Sequence, residues 1–355
     1  MILEQSPNLT HIRGWVRDLI AEQTNNRGKS VVLLAVDGVR YADAERYWYS
    51  ANHLQRISSV YPTTSSSCWL SSITGDCVER HGCVGVVFKP HPTSEMINVY
   101  SHPNGFVREG ERTLFHDALQ QGFTPLALSS DLGTIDCGWR ERLLRGAQII
   151  SSPLHFHKPC KADEPIDVNE LIYRLNRDIE NIAARPEQIF GWIFLDLDRY
   201  IHRHGYDYAV SKYLLSLNQL ASEWAKKGLV IAAHSDHGLV ETIHSPALEY
   251  YLDQIINKYG LEIGGAGRTR WLYVPKSVDI NQLMSELATN IPEDVEVARR
   301  SDYFSPAKQT SAKVGDILLI ARSTRFITDP GILFDHGSLT KDEWDIPFAI
   351  WSDSR

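Results

Sequence analysis

Apolar runs that end in acidic residues recur along the chain and predict buried strands. Continuous Val-, Ile- and Leu-rich runs are typical of parallel strands that are covered on both faces. A carboxylate at the end of such a run lies at the carboxyl edge of the sheet, where α/β proteins bind their ligands. Three runs share this feature: VVLLAV before Asp37, IFGWIFL before Asp196 and GLVIAAH before Asp236.

Segments of helical periodicity lie between and around these runs. Alternation of strands with helices favours a largely parallel sheet with helices on both faces. The predicted fold class is therefore α/β, a three-layer α/β/α sandwich with a large, mostly parallel central sheet. The predicted helices cover residues 9–23, 41–56, 168–184 and about 207–226, and residues 113–128 predict a helix, a glycine turn and a strand.

Residues 1–355 are predicted to form a single domain with two local elaborations. Residues 83–110 are dense in Pro, Gly, Asn and Ser, which is typical of a loop-rich insertion near a substrate cleft. Residues 264–312 are predicted to form a small strand-helix-strand subdomain.

Composition and charge exclude several classes of protein. The hydrophobic content of 43% predicts a packed core, and the formal charge of -8 gives no basic surface of the kind that binds nucleic acid. No run approaches the ~18 apolar residues of a membrane span, and the N-terminus lacks the pattern of a secretory signal. The five cysteines form no CxxC pair. We expect a cytoplasmic protein without nucleic-acid or membrane partners, and its oligomeric state stays open.

Acids and histidines cluster at the predicted strand ends. Buried, ionised carboxylates need partners, and mixed carboxylate and imidazole ligands suit Zn, Mn or Fe better than Ca. Two such clusters near a hydroxyl group are typical of a two-metal site for phosphoryl transfer. The residues are Asp37; Asp196, Asp198, His202 and His204; His234, Asp236 and His237; and Asp335 and His336.

These segments resemble the alkaline phosphatase superfamily and, within it, the nucleotide pyrophosphatase/phosphodiesterase branch. VVLLAVDGVR is similar to the first strand of that family, and YPTTSSSCWLSSITGDCVERHG aligns without gaps with its nucleophile segment. DRYIHRHG, SDHG and FDHGS resemble its Asp-x-x-x-His-x-x-Gly, Asp-His-Gly and final His-Gly motifs. The resemblance extends from residue 31 to residue 338 and therefore covers most of the chain.

The resemblance implies a ligand set for two divalent metal ions, with zinc as first choice and manganese as second. It implies Ser65 as nucleophile, in a repetitive segment where a slip of one position selects Thr64 or Ser66 instead. By the same resemblance, metal one takes Asp198, His202 and His336, and metal two takes Asp37, Asp236 and His237 together with Ser65.

The implied reaction is hydrolysis of a phosphodiester or phosphoanhydride in a small-molecule, nucleotide-like phosphate ester, through a covalent phosphoseryl intermediate. Two departures from the family pattern leave alternatives open. Ser66 replaces an aromatic residue that stacks on a nucleobase, and Val86 aligns with a phosphate-contacting Asn. A phosphomonoesterase or phosphonate hydrolase, a phosphoryl transferase or mutase, and an inactive binding module all stay possible. By residue type alone, Arg268 and Arg270 are candidates to bind a phosphate or carboxylate group of the substrate.

Overall fold

A computed structural model describes residues 7–25, 29–129, 132, 137–150, 166–306, 308 and 312–353. Strands within this part of the chain are β1 (Val31–Asp37), β2 (His53–Ser58), β3 (Val87–Phe88), β4 (Ile97–Asn98), β5 (Thr124–Leu128), β6 (Gln148–Ile150), β7 (Ile189–Asp196), β8 (Val230–His234), β9 (Val240–Glu241), β10 (Ile243–His244), β11 (Glu262–Ala266), β12 (Thr269–Tyr273), β13 (Val295–Arg299), β14 (Ile317–Ala321), β15 (Arg325–Phe326), β16 (Phe334–Asp335) and β17 (Asp345–Trp351).

The helices precede, connect and cover these strands. After a 3₁₀ turn at Leu9–His11 they are α1 (Ile12–Asn25), α2 (Tyr41–Tyr47), α3 (Ser65–Thr74), α4 (Val78–His81), α5 (Leu114–Gln120), α6 (Gly138–Leu143), α7 (Val168–Ala183), α8 (Asp198–His204), α9 (Tyr208–Lys226), α10 (Pro246–Tyr259), α11 (Ile280–Asn290), α12 (Arg300–Tyr303) and α13 (Lys341–Trp344).

The central sheet has the strand order β2-β17-β8-β1-β7-β5-β6. β1 lies between β7 and β8 and pairs in parallel with both, so that Asp37 is in register with Asp196. β17 is antiparallel to its two neighbours, β2 and β8. The prediction of an α/β fold with a large, mostly parallel central sheet is confirmed.

Alternate residues of β1 enter different cores, which explains why its apolar run is continuous. Leu33 belongs to a core that includes Trp69 of α3, whereas Leu34 belongs to a core that includes Ile179 of α7 and Leu214 of α9. Every residue of β1 is buried. Helices on both faces therefore enclose the sheet in three layers.

A second sheet, with the order β13-β14-β12-β11-β3-β4, packs beside the first. Trp271 on one face joins the core of the central sheet, and Leu272 on the other face packs with residues of α10 and α11. The elements β12, α11 and β13 lie between residues 264 and 312, and β14 pairs with β12 in the same sheet. Two short strands, β3 and β4, lie in the segment predicted to be loop-rich, and β3 pairs with β11 of the second sheet.

The helix predicted over residues 41–56 is wrong in its second half. α2 ends at Tyr47, and residues 53–58 form β2, which pairs with β17 at the edge of the sheet. An edge strand is half-exposed, so it lacks the continuous apolar run of a buried strand. Within the described ranges, no helix combines the length and apolarity that crossing a bilayer requires.

Candidate metal centre and nucleophile

The carboxyl ends of β1, β7 and β8 bring acids from distant parts of the chain to one point. Asp37 is the last residue of β1, Asp198 is the first residue of α8 after β7, and Asp236 follows β8. Because the three strands are adjacent and parallel, their ends meet at the same edge of the sheet.

Asp37, Asp236 and His237 form the first group of potential metal ligands. One ligand atom from each lies within 4.8 Å of the others. His237 Nε2 is 3.2 Å from Asp236 Oδ2 and 3.8 Å from Asp37 Oδ1. Asp37 is 3% exposed, and Asp236 and His237 are completely buried.

The acids of the site have oxygen atoms that the protein itself leaves without a partner. Asp37 Oδ1, Asp236 Oδ2 and Asp198 Oδ1 are buried and accept no hydrogen bond from the described residues. Burial raises the pKa of Asp37, with further contributions from the charges of Asp236 and Asp198. Burial also raises the pKa of Asp236 to about 8. Buried carboxylates of this kind need a cation, so the donor set fits divalent metal ions.

The second group consists of Asp198, His202 and His336, in which Asp198 lies close to each of the two histidines. Asp198 Oδ2 is 3.1 Å from His202 Nε2, and Asp198 Oδ1 is 3.7 Å from His336 Nε2. Burial lowers the pKa of His202, but the Asp198 carboxylate outweighs burial and raises that pKa to about 10. In the absence of a cation, an acid and a histidine thus neutralise each other.

Backbone carbonyls orient both histidines of this group. His202 Nδ1 donates to Phe334 O at 2.6 Å, and His336 Nδ1 donates to Thr63 O at 2.7 Å. A hydrogen bond at Nδ1 fixes the tautomer that leaves Nε2 as a metal ligand. The orientation of both imidazole rings is therefore set by the protein before any metal binds.

The two groups are contiguous. The rings of His237 and His336 stack with centroids 3.7 Å apart, and Asp198, His237 and His336 also have ligand atoms within 4.8 Å of one another. Asp335, which the sequence indicates only as a strand-end acid, forms a further such group with His202 and His336. Its Oδ1 accepts the backbone N–H of His336 at 2.9 Å.

Of the three neighbouring hydroxyl residues, only Ser65 faces the acids and histidines. Ser65 is the first residue of α3, and its Oγ lies 3.1 Å from His237 Nε2. Thr64 and Ser66 are completely buried, and their hydroxyl oxygens lie 3.2 Å from each other. The start of α3 therefore presents one hydroxyl group to the site and turns its two neighbours into the protein.

Trp69 is a site residue that reasoning from the sequence missed. It lies one helical turn after Ser65, and its Nε1 donates to Asp37 Oδ2 at 3.2 Å. This hydrogen bond holds Asp37 so that Oδ1 points toward Asp236 and His237. The i, i+4 spacing from the nucleophile segment was the available signal, because residues four apart share one face of a helix.

The two candidate arginines differ in their surroundings. Arg268 is completely buried and lies 3.2 Å from the Glu343 carboxylate, and it also donates to Thr242 Oγ1 and Ser323 O. Its guanidinium group is enclosed by protein, which does not fit the predicted role in substrate binding. Arg270 is half-buried and makes no such ion pair within the described residues.

The fold is a central sheet between two layers of helices, and its carboxyl edge carries these acids, histidines and a serine. This combination is that of a hydrolase of phosphoester bonds in the alkaline phosphatase superfamily. Residues 31–337 match the model of the type I phosphodiesterase / nucleotide pyrophosphatase family. The chain belongs to this family, whose enzymes use divalent metals. The predicted resemblance is thereby confirmed.

Solved structures of related fold cover most of the chain. Phosphonoacetate hydrolase from Sinorhizobium meliloti, in complex with phosphonoformate, superposes with a TM-score of 0.67 at 16% identity, over 91% of this chain and 90% of that chain. Murine ectonucleotide pyrophosphatase/phosphodiesterase 5, an inactive form in complex with AMP, gives 0.64 at 13% identity, over 92% and 88%. The human enzyme gives 0.65 at 15% identity, over 92% and 88%. A comparison with curated protein sequences finds no significant match.

Proposed function

We propose that the protein hydrolyses a phosphodiester or phosphoanhydride bond in a small molecule, with Ser65 as the nucleophile. One observation carries the proposal: the Ser65 hydroxyl lies 3.1 Å from His237 Nε2, beside acids that each have one buried oxygen without a hydrogen bond from the described residues. A hydroxyl group in this position is next to the ligands of a cation that would activate it.

The residues present would hold two divalent cations, zinc as first choice and manganese as second. Asp198, His202 and His336 would bind one, and Asp37, Asp236, His237 and Ser65 the other. Bound there, the cations supply positive charge that lowers the pKa of a hydroxyl ligand and stabilises negative charge on the phosphoryl group.

Ser65 attacks phosphorus from the first position of α3. The attack forms a bond between Oγ and phosphorus and breaks the bond to the leaving group, so that a phosphoserine results; Oγ loses its proton, and the leaving group departs with the electron pair of the broken bond. Water then cleaves the phosphoserine, which releases a phosphomonoester or free phosphate and restores the hydroxyl group. Ser65 is the first residue of α3, a ten-residue helix, and the amino terminus of a helix favours a bound phosphoryl group.

A phosphonate hydrolase or phosphomonoesterase is the second candidate, and a specific observation favours it. Ser66, at the position of the base-stacking aromatic residue, is completely buried, and its carbonyl accepts a hydrogen bond from Trp139 Nε1 at 2.9 Å. No platform for a nucleobase exists at this position. Among the neighbours, phosphonoacetate hydrolase binds phosphonoformate and the murine phosphodiesterase binds AMP, so both substrate classes enter the test.

The experiment combines metal analysis with a substrate panel. Purified protein is expected to hold about two equivalents of divalent metal per chain. Bis(p-nitrophenyl) phosphate, p-nitrophenyl phosphate and phosphonoacetate separate diesterase, monoesterase and phosphonatase activity. Phosphoryl transfer to an added alcohol, in place of phosphate release, identifies a transferase.

Single substitutions in the hydroxyl segment test the nucleophile. We expect Ser65→Ala to lose activity by at least about a thousandfold, because the covalent route is removed. Ser66→Ala is the matched control and is expected to keep its activity, because the Ser66 hydroxyl is turned away from the site. Full activity in Ser65→Ala, or loss of activity only in Ser66→Ala, would contradict the assignment.

A further inference from the structure

Arg270 is a half-buried arginine whose guanidinium group uses only part of its hydrogen-bonding capacity. It lies on β12, and Nη1 donates to the backbone oxygens of Gly267 and, at 3.2 Å, of Thr269. Nε and Nη2 donate to no group in the described part of the chain. No Asp or Glu oxygen of these residues lies within 4.0 Å of the guanidinium group.

This arrangement is unusual for an arginine that is partly removed from water. Burial lowers the pKa of Arg270, and the more distant charges of Asp335 and Asp329 oppose this lowering only in part. Arg268, two residues earlier, differs, because the Glu343 carboxylate lies 3.2 Å away and compensates its charge. A desolvated cation without a carboxylate in direct contact is costly, and an anion brought by a ligand lowers that cost.

The hairpin of Arg270 lies directly on the metal-ligand segment. Gly267, with φ +51°, leaves so little space that an added Cβ would lie 1.9 Å from His336 O and 2.9 Å from Asp335 Oδ1. Arg268 N donates to His336 O at 2.7 Å. Because Arg270 Nη1 binds Gly267 O, its guanidinium group is held beside the segment that supplies His336.

We propose that Arg270 binds a second anionic group of the substrate, a carboxylate or a phosphoryl oxyanion, while the reacting phosphoryl group lies at Ser65. The inference rests on the proposed function, because that function places the reacting group at the metal ligands. The free edge formed by Nε and Nη2 matches the two oxygens of such a group. The substrate class is thereby narrowed to phosphate or phosphonate compounds with a second negative group.

The test uses three ligands with one common phosphonate and different ends. Ethylphosphonate ends in a methyl group, 3-phosphonopropionate in a carboxylate, and ethylene-1,2-bisphosphonate in a second phosphonate. Calorimetric dissociation constants are measured with metal-loaded wild type, Arg270→Gln, Arg270→Lys and, as a matched control, the exposed Arg325→Gln. Thermal unfolding of each variant verifies that it is folded.

We expect wild type and Arg325→Gln to bind at least one charged-end ligand more tightly than ethylphosphonate. In Arg270→Gln this preference should fall by about 10- to 100-fold, as for the loss of a charged hydrogen bond, and Arg270→Lys should keep part of it. The ligand with the larger loss identifies a carboxylate or a phosphoryl group as the natural partner.

Two results would overturn the proposal: wild type without any preference for a charged end, or a preference that Arg270→Gln leaves unchanged. Hydrolysis of bis(p-nitrophenyl) phosphate, which has no second anionic group, is measured in parallel. Binding through Arg270 without hydrolysis of any ester would reject the proposed reaction and keep the anion subsite. Hydrolysis of the ester, together with dissociation constants that Arg270→Gln leaves unchanged for all three ligands, would reject the anion subsite and keep the proposed reaction.

Discussion

The Arg268–Glu343 pair connects the second sheet to the segment that carries His336, and removing its positive charge should destabilise the protein. Both side chains are completely buried, and Glu343 Oε1 also accepts the backbone N–H of Ser338 at 2.9 Å. Burial raises the pKa of Glu343, and the Arg268 guanidinium group opposes this rise. In Arg268→Met, the Glu343 carboxylate would stay buried without a cation.

The cost in that variant has an upper limit, because Glu343 can take up a proton. From an ordinary pKa of 4.5, protonation at pH 7 costs at most about 3.4 kcal/mol, at about 1.36 kcal/mol for each pH unit. The lost hydrogen bond from Arg268 to Thr242 adds about 1 kcal/mol. We therefore expect the free energy of unfolding to fall by about 3–4 kcal/mol, within the range for removing one partner of a buried ion pair.

The loss of stability in Arg268→Met should depend on pH, because Glu343 can take up a proton. In Arg268→Met the folded-state pKa of Glu343 lies above its unfolded value, so the penalty grows as the pH rises above 4.5. At pH 5.5 the protonation cost falls to about 1.4 kcal/mol. Urea unfolding of metal-free protein, followed by tryptophan fluorescence at both pH values, measures the difference from wild type.

The double variant Arg268→Met/Glu343→Gln is the matched control, since it removes both charges. It should recover at least half of the lost stability. A penalty below about 1 kcal/mol, or one that is the same at pH 5.5 and pH 7, would refute the reasoning, because it would mean that water reaches the carboxylate. Low activity in a double variant of restored stability would instead assign Arg268 to substrate binding.

Two further predictions concern residues that support the site. His81 is buried with Nε2 2.9 Å from Ser71 Oγ, and burial, with the charges of Arg142 and Lys313, lowers its pKa. The free energy of unfolding should therefore fall as the pH decreases below 6.5, by up to about 1.36 kcal/mol per pH unit. In His81→Gln, urea unfolding at several pH values should show a smaller dependence of this free energy on pH. The same pH dependence in wild type and variant would contradict the prediction. Gly267→Ala should lower metal content and activity, because its Cβ would displace His336. Gly331→Ala is the control and should lower neither, because Gly331, at φ +82°, has open space around it. Metal analysis of both purified variants tests this prediction.

The local patterns of the chain were sufficient for the fold class and for most of the residues that meet at the site. Continuous apolar runs predict β1, β7 and β8, because a strand covered on both faces can hold few polar residues. Acids directly after such strands lie at the ligand-binding edge in any parallel α/β sheet. The resemblance to a known family added the pairing of these residues into two ligand groups.

Other features depend on contacts between residues far apart in sequence. The register among Thr64, Ser65 and Ser66 is decided by where α3 begins relative to His237, 172 positions away from Ser65. Local patterns also failed for β2, since an edge strand alternates little between buried and exposed positions. Sequence patterns report backbone preference and burial, whereas the direction of a side chain depends on tertiary packing.

The two arginines of the GRTR segment show this difference most clearly. By itself the sequence determined only that two cationic side chains lie two positions apart, and residue type alone made both of them candidates for substrate binding. Only the tertiary structure decided that Glu343, 75 positions after Arg268, neutralises the first, while the second has no carboxylate within 4.0 Å among the described residues. The physical reason is that the cost of a buried charge depends on the partners that folding brings to it.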